Sequence, residues 1–217
     1  MTSARLAGRA CVLAVATLHL ACAATELEVG RTIEQYLTAL QAGDRATVAR
    51  LSAAYHDEVR GLEGPAAQQV FERFSAWFDE RWETFEEAKK SGTIELTPDG
   101  FGLIRALGLG RGGYYQVREV TEENGHARAR IEAQLGYHAV PFETFPPETR
   151  LYLMGIPLGR LLVPVRGDGQ RKLKVLASVE IECRLEKTHD PLHPTGWLVR
   201  GFEAIPETAR SIEIDWQ

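Results

Sequence analysis

The chain has 217 residues, 25% of them charged and 44% hydrophobic, with a formal net charge of −5. That length supports one domain with a real core. The hydrophobic fraction excludes wholesale disorder, and the acidic balance excludes nonspecific nucleic-acid binding, which needs a basic face.

Residues 1–23 are a different material from the rest. Arg5 and Arg9 make a basic start, Cys11 to Leu20 is an apolar run, and Ala21-Cys22-Ala23 closes it with small residues. This is the pattern of a secretory signal peptide, too short for a spanning helix, with cleavage expected after Ala23. The competing reading is a lipid attached to Cys22, which would anchor the chain to a bacterial membrane. Cleavage after Ala23 leaves Cys183 alone of the three cysteines, so no intramolecular disulfide is expected. No later apolar segment is long enough to span a bilayer.

Ile33, Tyr36, Leu37 and Leu40 fall at i, i+3, i+4 and i+7 and predict a first amphipathic helix. Thr32 with Gln35 reads as a capping box at its start. Gly43 suits a left-handed cap at its end, and Asp44 is placed to cap a second helix striped by Val48, Leu51 and Tyr55. Pro65 suits the start of a third, long helix. Its stripe holds Val70, Phe71, Phe74, Trp77, Phe78, Trp82 and Phe85, with Gly92 as its stop.

The run Tyr36-Leu37-Thr38-Ala39-Leu40-Gln41-Ala42-Gly43-Asp44, followed by Val48 and Leu51, resembles the opening of the nuclear transport factor 2-like superfamily. That superfamily includes ketosteroid isomerases, polyketide cyclases and many non-catalytic proteins. The order of elements extends the resemblance over roughly residues 27–216. It implies an α+β fold in which three N-terminal helices pack in the concave face of a strongly curved, mostly antiparallel sheet, a cystatin-like cone with a pocket inside. It also implies a chemistry: a helix-one tyrosine stabilises an oxyanion while a carboxylate beyond helix two moves a proton. Tyr36 matches the tyrosine. The carboxylate position falls on Arg60, which cannot accept a proton, so Asp57 and Glu63 are the substitutes, each at a shifted position.

Beyond Thr93 the period turns toward two. Thr93 to Thr97 is a strand candidate, and residues 101–109 read as either short helix or loop. Gly113 to Thr121 and His126 to Tyr137 predict a hairpin around Glu123-Asn124-Gly125. In its second strand Ala127, Ala129, Ile131 and Ala133 alternate with Arg128, Arg130 and Glu132, one buried and one wet face. Residues 138–168, broken by Pro and Gly, are expected to be an irregular insertion. Lys172 to Lys187 alternates in the same way, and Trp197 to Ile205 and Ser211 to Trp216 are expected as two further strands. Without repeats or linkers, residues 24–217 read as a single domain.

Other constellations carry little chemistry. Tyr55, His56 and Asp57 are consecutive on a helix and point about 100° apart. His189 and His193 sit in a Pro-containing loop without the spacing that aims two imidazoles at one metal. The Gly108-Leu109-Gly110-Arg111-Gly112-Gly113 run superficially resembles a phosphate-binding loop but precedes a strand. Cys183 lies on an apolar face, where a thiol is usually packing. The expectation is therefore an exported, non-catalytic protein without metal or cofactor. It binds a small apolar ligand in a cavity between the third helix and the sheet, lined by Tyr36, Tyr55, Phe74, Phe78, Tyr137 and Trp197, or forms a homodimer through its sheet face. The alternative is an isomerase or cyclase using Tyr36 with Asp57 or Glu63.

Overall fold

The computed structural model describes residues 24–91, 93–96, 114–134, 150–153, 156–160, 171–190 and 193–216. Four helices come first: α1 over residues 24–42, α2 (Arg45–Leu51), α3 (Ala53–Val59) and α4 (Gly64–Ser91). Seven strands follow: β1 (Thr93–Leu96), β2 (Tyr114–Glu123), β3 (His126–Gln134), β4 (Arg150–Leu153), β5 (Ile156–Arg160), β6 (Arg171–Lys187) and β7 (Trp197–Trp216). The main sheet is open, antiparallel and ordered β2-β3-β6-β7. A smaller sheet, β1-β4-β5, pairs β1 parallel and β5 antiparallel to β4. The fold is thus α+β.

The core forms where the helices lie on one face of the main sheet. Val29, Ile33 and Leu37 of α1 and Phe78 of α4 share a buried cluster with Ile131, Ile181 and Cys183 of the central strands. Ala127, Ala129 and Ala133 also face inward from β3, and such small side chains leave room for the larger helix residues. The opposite face is charged. Arg118 Nε donates to Glu132 at 2.7 Å, and Arg130–Glu180 and Arg184–Glu203 form ion pairs at 3.6 and 3.5 Å. A face dressed in this way is suited to water and offers little apolar area to a homodimer. The β2–β3 turn is as expected: Asn124 and Gly125 both have positive φ, 53° and 77°, as a two-residue hairpin requires.

Four local expectations need correction. The first helix runs through Gly30 and Thr32, so Thr32 is not a cap. Its hydroxyl donates to the Glu28 carbonyl oxygen at 2.9 Å and shares a 2.7 Å hydrogen bond with Thr195, pinning the β6–β7 loop to α1. The expected second helix is two, which makes four helices rather than three. Ser52 takes extended dihedrals (φ −92°, ψ 122°) and forms a parallel bridge to Val199 at the edge of β7. It ends α2 and caps α3, its hydroxyl accepting from the Tyr55 N–H at 3.5 Å. Exchanging one helical turn for a contact at a sheet edge covers backbone groups that would otherwise be open.

The third correction concerns the insertion near 138–168, which contains β4 and β5 rather than being irregular throughout; its other residues lie outside those described. Finally, the two expected C-terminal strands are one. Between the pairs Glu180↔Ile205 and Ser178↔Arg210, residues 206–209 bulge out of register. Thr208 stitches the bulge: its Oγ1 accepts from the Glu180 N–H at 2.8 Å and donates to the Ile205 carbonyl at 2.6 Å. Gly43 and Asp44 act as expected, with φ 72° at Gly43 and the Asp44 carboxylate accepting from the Thr47 N–H at 3.1 Å.

Candidate functional site

Two clefts flank α3. The first, of about 400 Å³, lies between α3 and α4 and is lined by Ser52, Ala54, Tyr55, Val70, Phe74 and Trp77, with Glu58 and Arg73 at its edge. The tilt of α3 after the Ser52 break sets Tyr55 edge-on to Phe74, ring centroids 5.5 Å apart. Phe74 in turn meets Trp77 at 5.6 Å. Trp77 is 41% exposed, one of three large apolar side chains that stand out to solvent among the described residues. An ion pair between Arg73 and Glu58, 3.2 Å long, ties the two helices at the rim. The chemistry available is apolar contact and aromatic stacking, with no convergent acid and base.

The second cleft, of about 710 Å³, lies between the C-terminal end of α3, the β2–β3 turn and the end of β6. Most of its lining residues are polar or charged: His56 and Arg60 from α3 and its cap, Asn124 and His126 from the hairpin, and Glu186, Lys187, His189 and Asp190 from β6 and its loop. Behind it runs a charge network. Arg200 of β7 donates to Glu186 at 2.7 Å and pairs with Asp57 at 3.0 Å, and Asp57 also pairs with Arg60 at 3.0 Å. The adjacent carboxylates raise the Arg200 pKa, the hydrogen bond to Glu186 foremost.

His193 lies beside this cleft, buried, its ring centroid 6.1 Å from that of His56. Its Nδ1 accepts from the Gly196 N–H at 3.1 Å, which makes Nε2 the protonated nitrogen of the neutral ring. Burial holds its pKa below the ordinary value, with the Arg50 carbonyl pulling the other way. His56 Nε2 lies 2.9 Å from that same carbonyl oxygen.

The residues singled out from the sequence are dispersed. Tyr55 and Phe74 meet in the first cleft, but the others do not join them. Tyr36 packs on Phe202 at 5.5 Å, and Phe78 is buried in the core, stacked on Trp82 at 5.9 Å. Trp197 is fully buried, with the Lys187 ammonium 5.6 Å from its ring centroid. Tyr137, Cys22 and Ala23 lie outside the described residues, as does the Gly108–Gly113 run. Asp57 is held between two arginines, its side chain 39% exposed, and Glu63 is exposed on the turn after α3. None of Asp57, Glu63 and Tyr36 lines either of these two clefts.

Among the described residues no group of three or more His, Cys, Asp or Glu side chains is arranged to hold a metal ion. Cys183 is fully buried, and burial pushes its thiol pKa well up, away from the reactive thiolate. No described helix is long and apolar enough to cross a membrane. Sequence reasoning placed Trp77 in the helix stripe but missed its exposure, and it missed His126 and Lys187 altogether. The second cleft draws on residues 56–60, 124–126 and 186–190, and nothing local in any of the three segments announces the other two. Compared with known proteins, the chain matches no protein-family model, no curated protein and no solved structure.

Proposed function

We propose that the chain is an exported, non-catalytic binding protein of the nuclear transport factor 2-like kind, holding a small apolar ligand in the groove between α3 and α4. The observation that carries the reading is the chain of three aromatic rings, Tyr55, Phe74 and Trp77, left partly open to solvent along a cleft of about 400 Å³. Small-molecule sites are commonly of this size and are lined mainly by apolar and aromatic groups. Helices on one face of an open antiparallel sheet are compatible with the resemblance carried by residues 36–51; the bending of that sheet into a cone belongs to the proposal. Export rests on the basic start, apolar run and small residues before Ala24.

The isomerase-type alternative ranks below this reading. Asp57 is already engaged by Arg60 and Arg200, so accepting a substrate proton would cost it two ion pairs.

The test is titration with the neutral fluorophore N-phenylnaphthylamine. Saturable one-to-one binding is expected, weakened by about tenfold in Phe74→Ala, as the loss of roughly half an aromatic side chain's burial would require. Far-UV circular dichroism checks that the variant folds. Binding that fails to saturate, or that is equal in Phe74→Ala, overturns the ligand site. Intact mass of protein recovered after export addresses the leader separately. A start at Ala24 supports cleavage, and a lipid-bearing Cys22 supports the anchored form.

A further inference from the structure

The second cleft is chemically unlike the first and stands independently of the function proposed above. All four histidines among the described residues lie in it or beside it, brought there from α3, β3 and the β6–β7 loop. Its charges divide into two groups. Asp57 and Glu186 are matched by Arg60 and Arg200 in one continuous network. The cleft is also lined by Lys187, His56, His126, His189 and Asp190. His56 directs its Nε2 to the Arg50 carbonyl. Among the described residues Lys187 makes no ion pair, and the imidazoles of His126 and His189 make no hydrogen bond, so three donors, one each from β6, β3 and the β6–β7 loop, remain available to a ligand.

We propose that this cleft is a binding site for a small organic anion bearing several carboxylates. One carboxylate meets Lys187, whose ammonium is steadied over the Trp197 ring; others meet His126 and His189. Charge-assisted hydrogen bonds of this type are about twice as strong as neutral ones, and an open cleft of some 710 Å³ has room for such a ligand and its bridging water. Val59 and Leu198 form an apolar strip in the wall against which a short carbon skeleton can lie.

The probe is citrate, followed by the histidine ring signals in nuclear magnetic resonance at fixed pH, with the uncharged trimethyl citrate as control. The expected result is saturable movement of the His126 and His189 signals with citrate and none with the ester. The double variant Lys187→Gln/His126→Gln should bind at least about tenfold more weakly. These side chains are exposed, so the variant should fold. Shifts that do not saturate, an ester that binds as well as citrate, or a double variant with unchanged affinity each overturn the proposal. Trp77 takes no part in this cleft, so its outcome and that of the apolar groove are read separately.

Discussion

Two glycines in or beside α1 have opposite consequences. Gly30 lies inside the helix, and a Cβ added there would meet nothing within 4 Å. Gly30→Ala should therefore stabilise the protein by about 0.5–1 kcal/mol through reduced chain entropy and better helix propensity. Gly43 has φ 72°, and its added Cβ would touch the Trp82 ring at 3.4 Å. Gly43→Ala should destabilise by about 1–2 kcal/mol, since the left-handed conformation is costly for any side chain. Urea denaturation of the two variants checks both signs. The contrast was half visible beforehand. Gly43 followed by Asp44 is a local stop-and-start signal, whereas a start expected at Thr32 left Gly30 outside the helix, because the first turns carry few apolar residues. Val29, fully buried, reveals them as helix once the core is seen.

Among the elements, β7 is held at its bulge by one side chain. Four residues leave the ladder at 206–209, and Thr208 alone returns a hydrogen bond to the Glu180 N–H while satisfying the Ile205 carbonyl. Thr208→Val keeps the shape and removes both bonds. It should cost about 1–3 kcal/mol, the penalty for leaving backbone groups unpaired. Amide hydrogen exchange at Glu180 should accelerate more than at Ile131, the check that the loss is local. The bulge explains why the strand read as two: between Ile205 and Ser211 the alternation is lost, as it must be where extra residues are inserted. The helix break at Ser52 could not be anticipated in this way. Val48, Leu51 and Tyr55 keep helical spacing straight across it, and the bridge to Val199 is what makes the break favourable.

For the whole molecule, the end of the fold where the β6–β7 loop meets α1 and α2 should respond to acid. His193 is 9% exposed, and its pKa lies below the ordinary 6.5, burial being the largest cause. The unfolded chain thus binds this proton more readily than the folded one. The contribution to stability is fully present above pH 6.5, declines as the pH falls below that value, and levels off below the folded pKa. Protonation also places a hydrogen on Nδ1, which must then give up the Gly196 N–H. Unfolding midpoints measured between pH 7.5 and 5 should fall in wild type. In His193→Gln the slope should be shallower, with the intact Thr32–Thr195 hydrogen bond still holding the loop.

The sequence by itself determined the alternation of Ala127–Ala133 and Val179–Leu185, the Asn124-Gly125 turn, the Gly43-Asp44 break and the long aromatic helix. Each is a periodicity or a local backbone demand, expressed within a few neighbouring residues. Only the tertiary structure decided which aromatic rings remain open, since Phe74 and Trp77 sit on the same helix as the buried Phe78 and differ only in what packs over them. It likewise decided that His56, His126 and Lys187 share one cleft. Burial and convergence belong to the packing of elements distant in sequence, and no window along the chain contains them.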